Sequence, residues 1–109
     1  MHVQKINIKS SRQFEPNYVD QMLEILRQKP PKELTLQGHP VYCHKPLQDS
    51  VVKKLQAFGL LSRLRQLDLS GNKIATKESV QLILTEGQML KRLDLSRNKL
   101  SSSAIEYLC

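Results

Sequence analysis

The chain has few cysteines, no long apolar run and no catalytic signature, and each shortage narrows what it does. Its two cysteines, Cys43 and Cys109, cannot build a disulfide framework, and their placement argues against a bridge between them. Two free thiols point to a reducing compartment, the cytoplasm or the nucleus. No stretch approaches the roughly 20 apolar residues that a helical membrane span needs, and the opening MHVQKINIKS lacks the apolar core of a secretory signal. There is no GxSxG, no HExxH and no glycine-rich phosphate loop, so neither an enzyme nor a cofactor is expected. His39, Cys43 and His44 are all zinc-ligating types, but no fourth ligand stands near them at a recognised spacing, and no metal is expected.

What is present is positive charge in a chain of 109 residues, short enough for one domain. Seventeen lysines and arginines against ten acids leave a net charge of +7, which favours an acidic partner: a protein face, nucleic acid or an anionic surface. Charge alone does not choose among them.

An internal repeat organises the sequence. Residues 64–74, LRQLDLSGNKI, and residues 90–100, LKRLDLSRNKL, share seven of eleven positions at an offset of 26 residues. Both fit L-x-x-L-x-L-x-x-N-x-[LI]. Fainter copies lie upstream. Leu34-Thr35-Leu36 opens one, with His39 at the asparagine position and Val41 closing it; Ile6-Asn7-Ile8 opens another, with Val3 before it and Ser11 at the asparagine position. Between the copies run helical stripes. Val19, Met22, Leu23 and Leu26 stop before Pro30-Pro31; Val51, Leu55 and Phe58 stop at Gly59; Val80, Ile83 and Leu84 follow a candidate cap at Thr76. Ser103-Ala104-Ile105-Glu106 has the spacing of a capping box and opens a last helix.

The two LDLS-x-N-K segments resemble leucine-rich repeats of the ribonuclease-inhibitor-like type. The resemblance implies an α/β solenoid of about four repeats, roughly 3–30, 31–63, 64–89 and 90–109, in one domain spanning 1–109. A parallel sheet would line the concave face, with helices on the convex one. Leu64, Leu67, Leu69, Ile74, Leu90, Leu93, Leu95 and Leu100 would stack inward, and Asn72 and Asn98 would satisfy backbone groups where each strand turns away. The open repeat ends imply a larger protein or assembly, or self-association.

Function in such stacks lies on the concave sheet, at positions between the inward leucines. These are Gln4, Lys5, Asn7 and Lys9; Lys32, Glu33, Thr35 and Gln37; Arg65, Gln66, Asp68 and Ser70; and Lys91, Arg92, Asp94, Ser96 and Arg97. Seven of them are basic and three acidic. Such a strip is either a solvated face or a recognition surface. As a surface it takes Lys5, Lys32, Arg65, Asp68, Lys91, Arg92, Asp94 and Arg97 as partner contacts. Asp68 and Asp94 form a repeated carboxylate pair, but nothing joins them to a substrate pocket. The segment 40–48, PVYCHKPLQ, interrupts the repeat, and its Tyr42 is either a further contact or part of the local core with Phe58. The expected role is a protein-interaction module, the recognition, adaptor or scaffolding part of a larger complex, with an acidic protein as partner and no membrane. The alternative is a nucleic-acid-binding module using the same strip, against which stands its lack of aromatic residues for stacking bases.

Overall fold

The computed structural model describes residues 5–9, 16–38 and 47–108. Among these, strand and helix alternate along the chain: β1 (Lys5–Lys9), α1 (Pro16–Gln28), β2 (Glu33–Gln37), α2 (Ser50–Ala57), a 3-10 turn (Leu61–Arg63), β3 (Gln66–Asp68), α3 (Lys77–Glu86), β4 (Arg92–Asp94) and α4 (Ser102–Leu108). The strands pair in parallel, in chain order β1-β2-β3-β4. Register is set so that Ile6, Leu34, Leu67 and Leu93 share one rung, and Asn7, Thr35, Asp68 and Asp94 the next. Successive helices also pack on one another, α1 on α2, α2 on α3 and α3 on α4. Each strand–helix pair therefore meets its neighbours in sequence, as nearest-neighbour repeats must.

The alternation in each strand follows from its side chains. In β2, ELTLQ, Leu34 and Leu36 are buried while Glu33, Thr35 and Gln37 are half-exposed. Leu64, Leu67, Leu69 and Ile74 are fully buried, Leu95 nearly so, and Leu90, Leu93 and Leu100 pack partly buried against them. The helices close this core with Val19, Met22, Leu23 and Leu26 of α1, Val51, Val52 and Leu55 of α2, Val80 and Ile83 of α3, and Ala104 of α4. Burying a leucine or isoleucine of this kind contributes about 1.5–3 kcal/mol.

Local signals explain the helix ends. Thr76 caps α3, its side-chain oxygen accepting from the Ser79 amide. α2 ends in a Schellman motif: Gly59 turns left-handed at φ 72°, its amide reaches the Gln56 carbonyl, and the Leu60 amide reaches that of Leu55. Two details depart from the expectation. Leu84 is 43% exposed, because the inward stripe of α3 runs through Ser79, Val80 and Ile83. And α4 starts at Ser102, with the Ala104 amide donating to the Ser101 hydroxyl; Ser101, not Ser103, is the cap, one of three consecutive serines among which the pattern alone chose wrongly.

The interrupted second repeat rejoins the array at Leu47. Its amide donates to Asn72 Oδ1, just as the Ile74 amide donates to Asn98 Oδ1 one repeat later, and Leu47 is buried. Leu47 thus fills the closing apolar place. Val3, Ser11, His39, Val41, Cys43, His44 and Cys109 lie outside the described residues, as does the Tyr42 contact.

Candidate functional site

Parallel pairing lays the non-leucine strand residues out in rows that cross the sheet. One row runs Lys5, Glu33, Gln66, Arg92; the next runs Asn7, Thr35, Asp68, Asp94. Ahead of the strands a third row continues the ladder. The Arg65 amide donates to the Lys32 carbonyl at 2.7 Å and the Lys91 amide to the Arg65 carbonyl at 2.7 Å. Lys32, Arg65 and Lys91 therefore stand side by side, all exposed, in the approach to each strand rather than within it. The described ion pairs, Arg27–Glu24 and Lys54–Asp20, involve none of the three.

The aspartates, Asp68 half-exposed and Asp94 exposed, each have a local task. Asp68 Oδ1 accepts from the Ser70 amide at 2.8 Å, and Asp94 Oδ1 from the Ser96 amide at 2.9 Å and hydroxyl at 2.6 Å. Each carboxylate holds the turn that follows its strand. The Ser96 hydroxyl and amide, with the positive charges of Arg97 and Arg92 nearby, hold the Asp94 carboxyl below its ordinary value. Arg92, Asp94 and Arg97 thus form one exposed cluster. Ser70, by contrast, is buried, contrary to the expectation for that position. Its carbonyl takes the Gly38 amide and the Asn72 side chain, which draws the backbone inward there.

Arg97 is strained. It holds φ 56°, where the matching residue one repeat earlier is Gly71 at φ 75°. The turn demands a left-handed residue, and a side chain there costs about 1–2 kcal/mol that glycine avoids.

Sequence reasoning missed one residue that ties repeats together. Asp49, just before α2, reaches across to the start of α3, where its Oδ1 accepts from the Ala75 and Thr76 amides and from the Thr76 and Ser79 hydroxyls at 2.5–3.2 Å. Burial works to raise its pKa, but these hydrogen bonds outweigh burial and hold the carboxyl below its ordinary value. No local pattern signals these contacts, because they join residues 26–30 positions apart in the chain.

On the helical side, a shallow hollow between α1 and α2 is lined by Asp20, Gln21, Glu24, Ile25 and Phe58. Both of its carboxylates are already paired, Asp20 with Lys54 at 2.9 Å and Glu24 with Arg27. Tyr18, Phe58 and Tyr107 belong to the helices and their ends, so no aromatic residue stands in the sheet rows among the described residues. No helix of the described residues is long and apolar enough to cross a membrane.

Comparison with protein families matches two stretches: residues 63–84 to a leucine-rich repeat family, and residues 88–109 to a second leucine-rich repeat family. No curated protein matches the chain.

Proposed function

We propose that the chain, two stretches of which match leucine-rich repeat families, is a protein-interaction module binding its partner on the sheet face turned away from the helices. One observation carries this reading. The inward rows are apolar, while the rows between them align exposed Lys32, Arg65, Lys91, Arg92 and Asp94 with half-exposed Gln66 and Asp68 from strand to strand. Repeated polar positions on adjacent strands make a continuous surface, which suits recognition of a macromolecule better than enclosure of a small substrate.

In this reading the repeats are of the ribonuclease-inhibitor-like type and stack as a solenoid with the sheet on its concave side. Lys5 of β1 extends the strip at one end and Arg97 at the other, and Tyr42 adds a contact from the interrupting segment. The module serves as the adaptor or scaffold part of a larger complex in the cytoplasm or nucleus, without catalysis of its own. Asp68 and Asp94, paired at the β3–β4 end of the face, disfavour a phosphate backbone, so the partner is a protein with acidic and basic groups.

A photo-crosslinking residue at Thr35 or Gln66 tests this, with Lys53 and Gln81 on the helices as controls. Protein adducts from the two sheet positions, absent from the helix positions, are the expected result. Adducts from the helix positions alone overturn the reading.

A further inference from the structure

Charge on the sheet face is sorted by row, and the sorting says what kind of element docks there. The approach row, Lys32–Arg65–Lys91, is entirely basic, and the next row sets Lys5 and Arg92 against the single carboxylate of Glu33. The row after that ends in the two aspartates, Asp68 opposite Asp94. From strand starts to strand ends the face therefore passes from positive to negative within about three residues, or roughly 10 Å.

Three like charges in adjacent places repel one another, and the described ion pairs leave them uncompensated. The cost is small while they stay hydrated, and it turns into attraction when an anionic element arrives. That element must run across the strands, because the row does. Backbones in the row are about 4.8 Å apart. Along an α-helix, carboxylates at i, i+3 or i+4, and i+7 step by about 4.5–6 Å. An extended segment presents alternate residues about 6.6 Å apart and drifts out of step by the third contact.

Resting on the proposed binding role, we infer that the partner presents an α-helix with an acidic stripe, laid across the strand starts on Lys32, Arg65 and Lys91. The same helix carries basic or hydroxyl groups on the flank that overlies Asp68 and Asp94. A nucleic acid would supply the negative charge but would set phosphates against those two aspartates, and the rows hold no aromatic residue on which bases stack.

The test uses the whole chain and two helix-stapled, alanine-rich peptides of identical composition. One carries glutamates at i, i+4 and i+7, and the other carries them spread around the helix. The striped peptide is expected to bind about tenfold tighter, to shift the backbone amide resonances of Lys32, Arg65 and Lys91, and to lose binding at high salt. Replacing these three by Gln should abolish the preference, Arg65→Lys should retain it, and Lys53→Gln, Lys73→Gln and Lys99→Gln together should leave it intact. Equal binding of the two peptides, or equal loss in both triple variants, reduces the effect to net charge and overturns the inference. Binding of an oligothymidylate with neither peptide bound overturns it in favour of nucleic acid. If neither peptide binds while a protein still crosslinks at Thr35 and Gln66, the helix inference fails and the binding role stands.

Discussion

The side-chain amide of Asn72 donates at 2.8 Å to the carbonyl of Leu36, a residue one strand back and 36 positions earlier. The same nitrogen serves the carbonyls of Leu69 and Ser70, and its oxygen takes the Leu47 amide. Asn98 repeats the pattern with Leu69, Leu95, Ser96 and Ile74. Asn72 is buried and Asn98 only half-buried, so water can replace the lost partners more readily at Asn98. Asn72→Ala should cost about 2–3 kcal/mol and Asn98→Ala about 1 kcal/mol in urea unfolding. Equal costs would mean that burial does not set the strength of this ladder.

Gly38 is where the second repeat leaves its strand, and the Asn72 side chain passes against it. A Cβ there would meet Asn72 Oδ1 and the Gly71 carbonyl, both at 2.6 Å. Neither neighbour can retreat without breaking the ladder. Gly38→Ala should destabilise by about 1–3 kcal/mol. Asn72→Ala in the same chain should recover part of that loss, because it removes one of the two clashes; strictly additive costs in the double variant would refute the clash.

Asp49 links α2 to the start of α3. Asp49→Ala should cost about 1–2 kcal/mol, the usual worth of a side chain serving a helix start. Because the folded-state pKa lies below the ordinary 3.8, the charged form contributes stability fully above that value. The contribution is lost as pH falls below 3.8 through the folded-state pKa. The stability gap between the native chain and Asp49→Asn should therefore be constant at neutral pH and close in acid. A gap independent of pH down to the acid limit would show that charge plays no part.

Arg97 separates stability from binding. Arg97→Gly relieves a left-handed side chain and should raise stability by about 1 kcal/mol, read as a higher midpoint in thermal unfolding. The same change removes a cation beside Asp94 and should weaken partner binding. A variant that is both more stable and equally tight in binding would take Arg97 out of the binding surface.

Charge reversal tests the face directly. Arg65→Glu with Arg92→Glu should abolish capture of the crosslinked partner while shifting the melting midpoint by only a few degrees, since both side chains are exposed. Lys53→Glu, on the exposed side of α2, should leave binding unchanged. Lys54 is a poor control because it pairs with Asp20.

Much of the architecture was legible because it is written locally and then repeated. The L-x-x-L-x-L spacing fixes which leucines turn inward, and the apolar stripes in 16–28, 50–57 and 77–86 coincide with helices. The asparagines were legible for the same reason, since a buried amide at a turn must find backbone partners. Thr76 was read correctly as a cap because capping is a contact over three residues. Ser101 and Leu84 were misread because three serines in a row, or a two-fold choice of helix face, carry no local signal that breaks the tie.

Other features depend on contacts between repeats, and single-chain periodicity does not encode them. Leu47 takes the place that Ile74 holds because Asn72, 25 residues on, receives its amide. Asp49 serves α3 rather than its own helix because α2 and α3 pack side by side. The sequence by itself determined the composition of the candidate face, a set of basic residues with two aspartates. Only the tertiary structure decided their arrangement, because parallel pairing brings Lys32, Arg65 and Lys91 into one row and sets Asp68 opposite Asp94 in another.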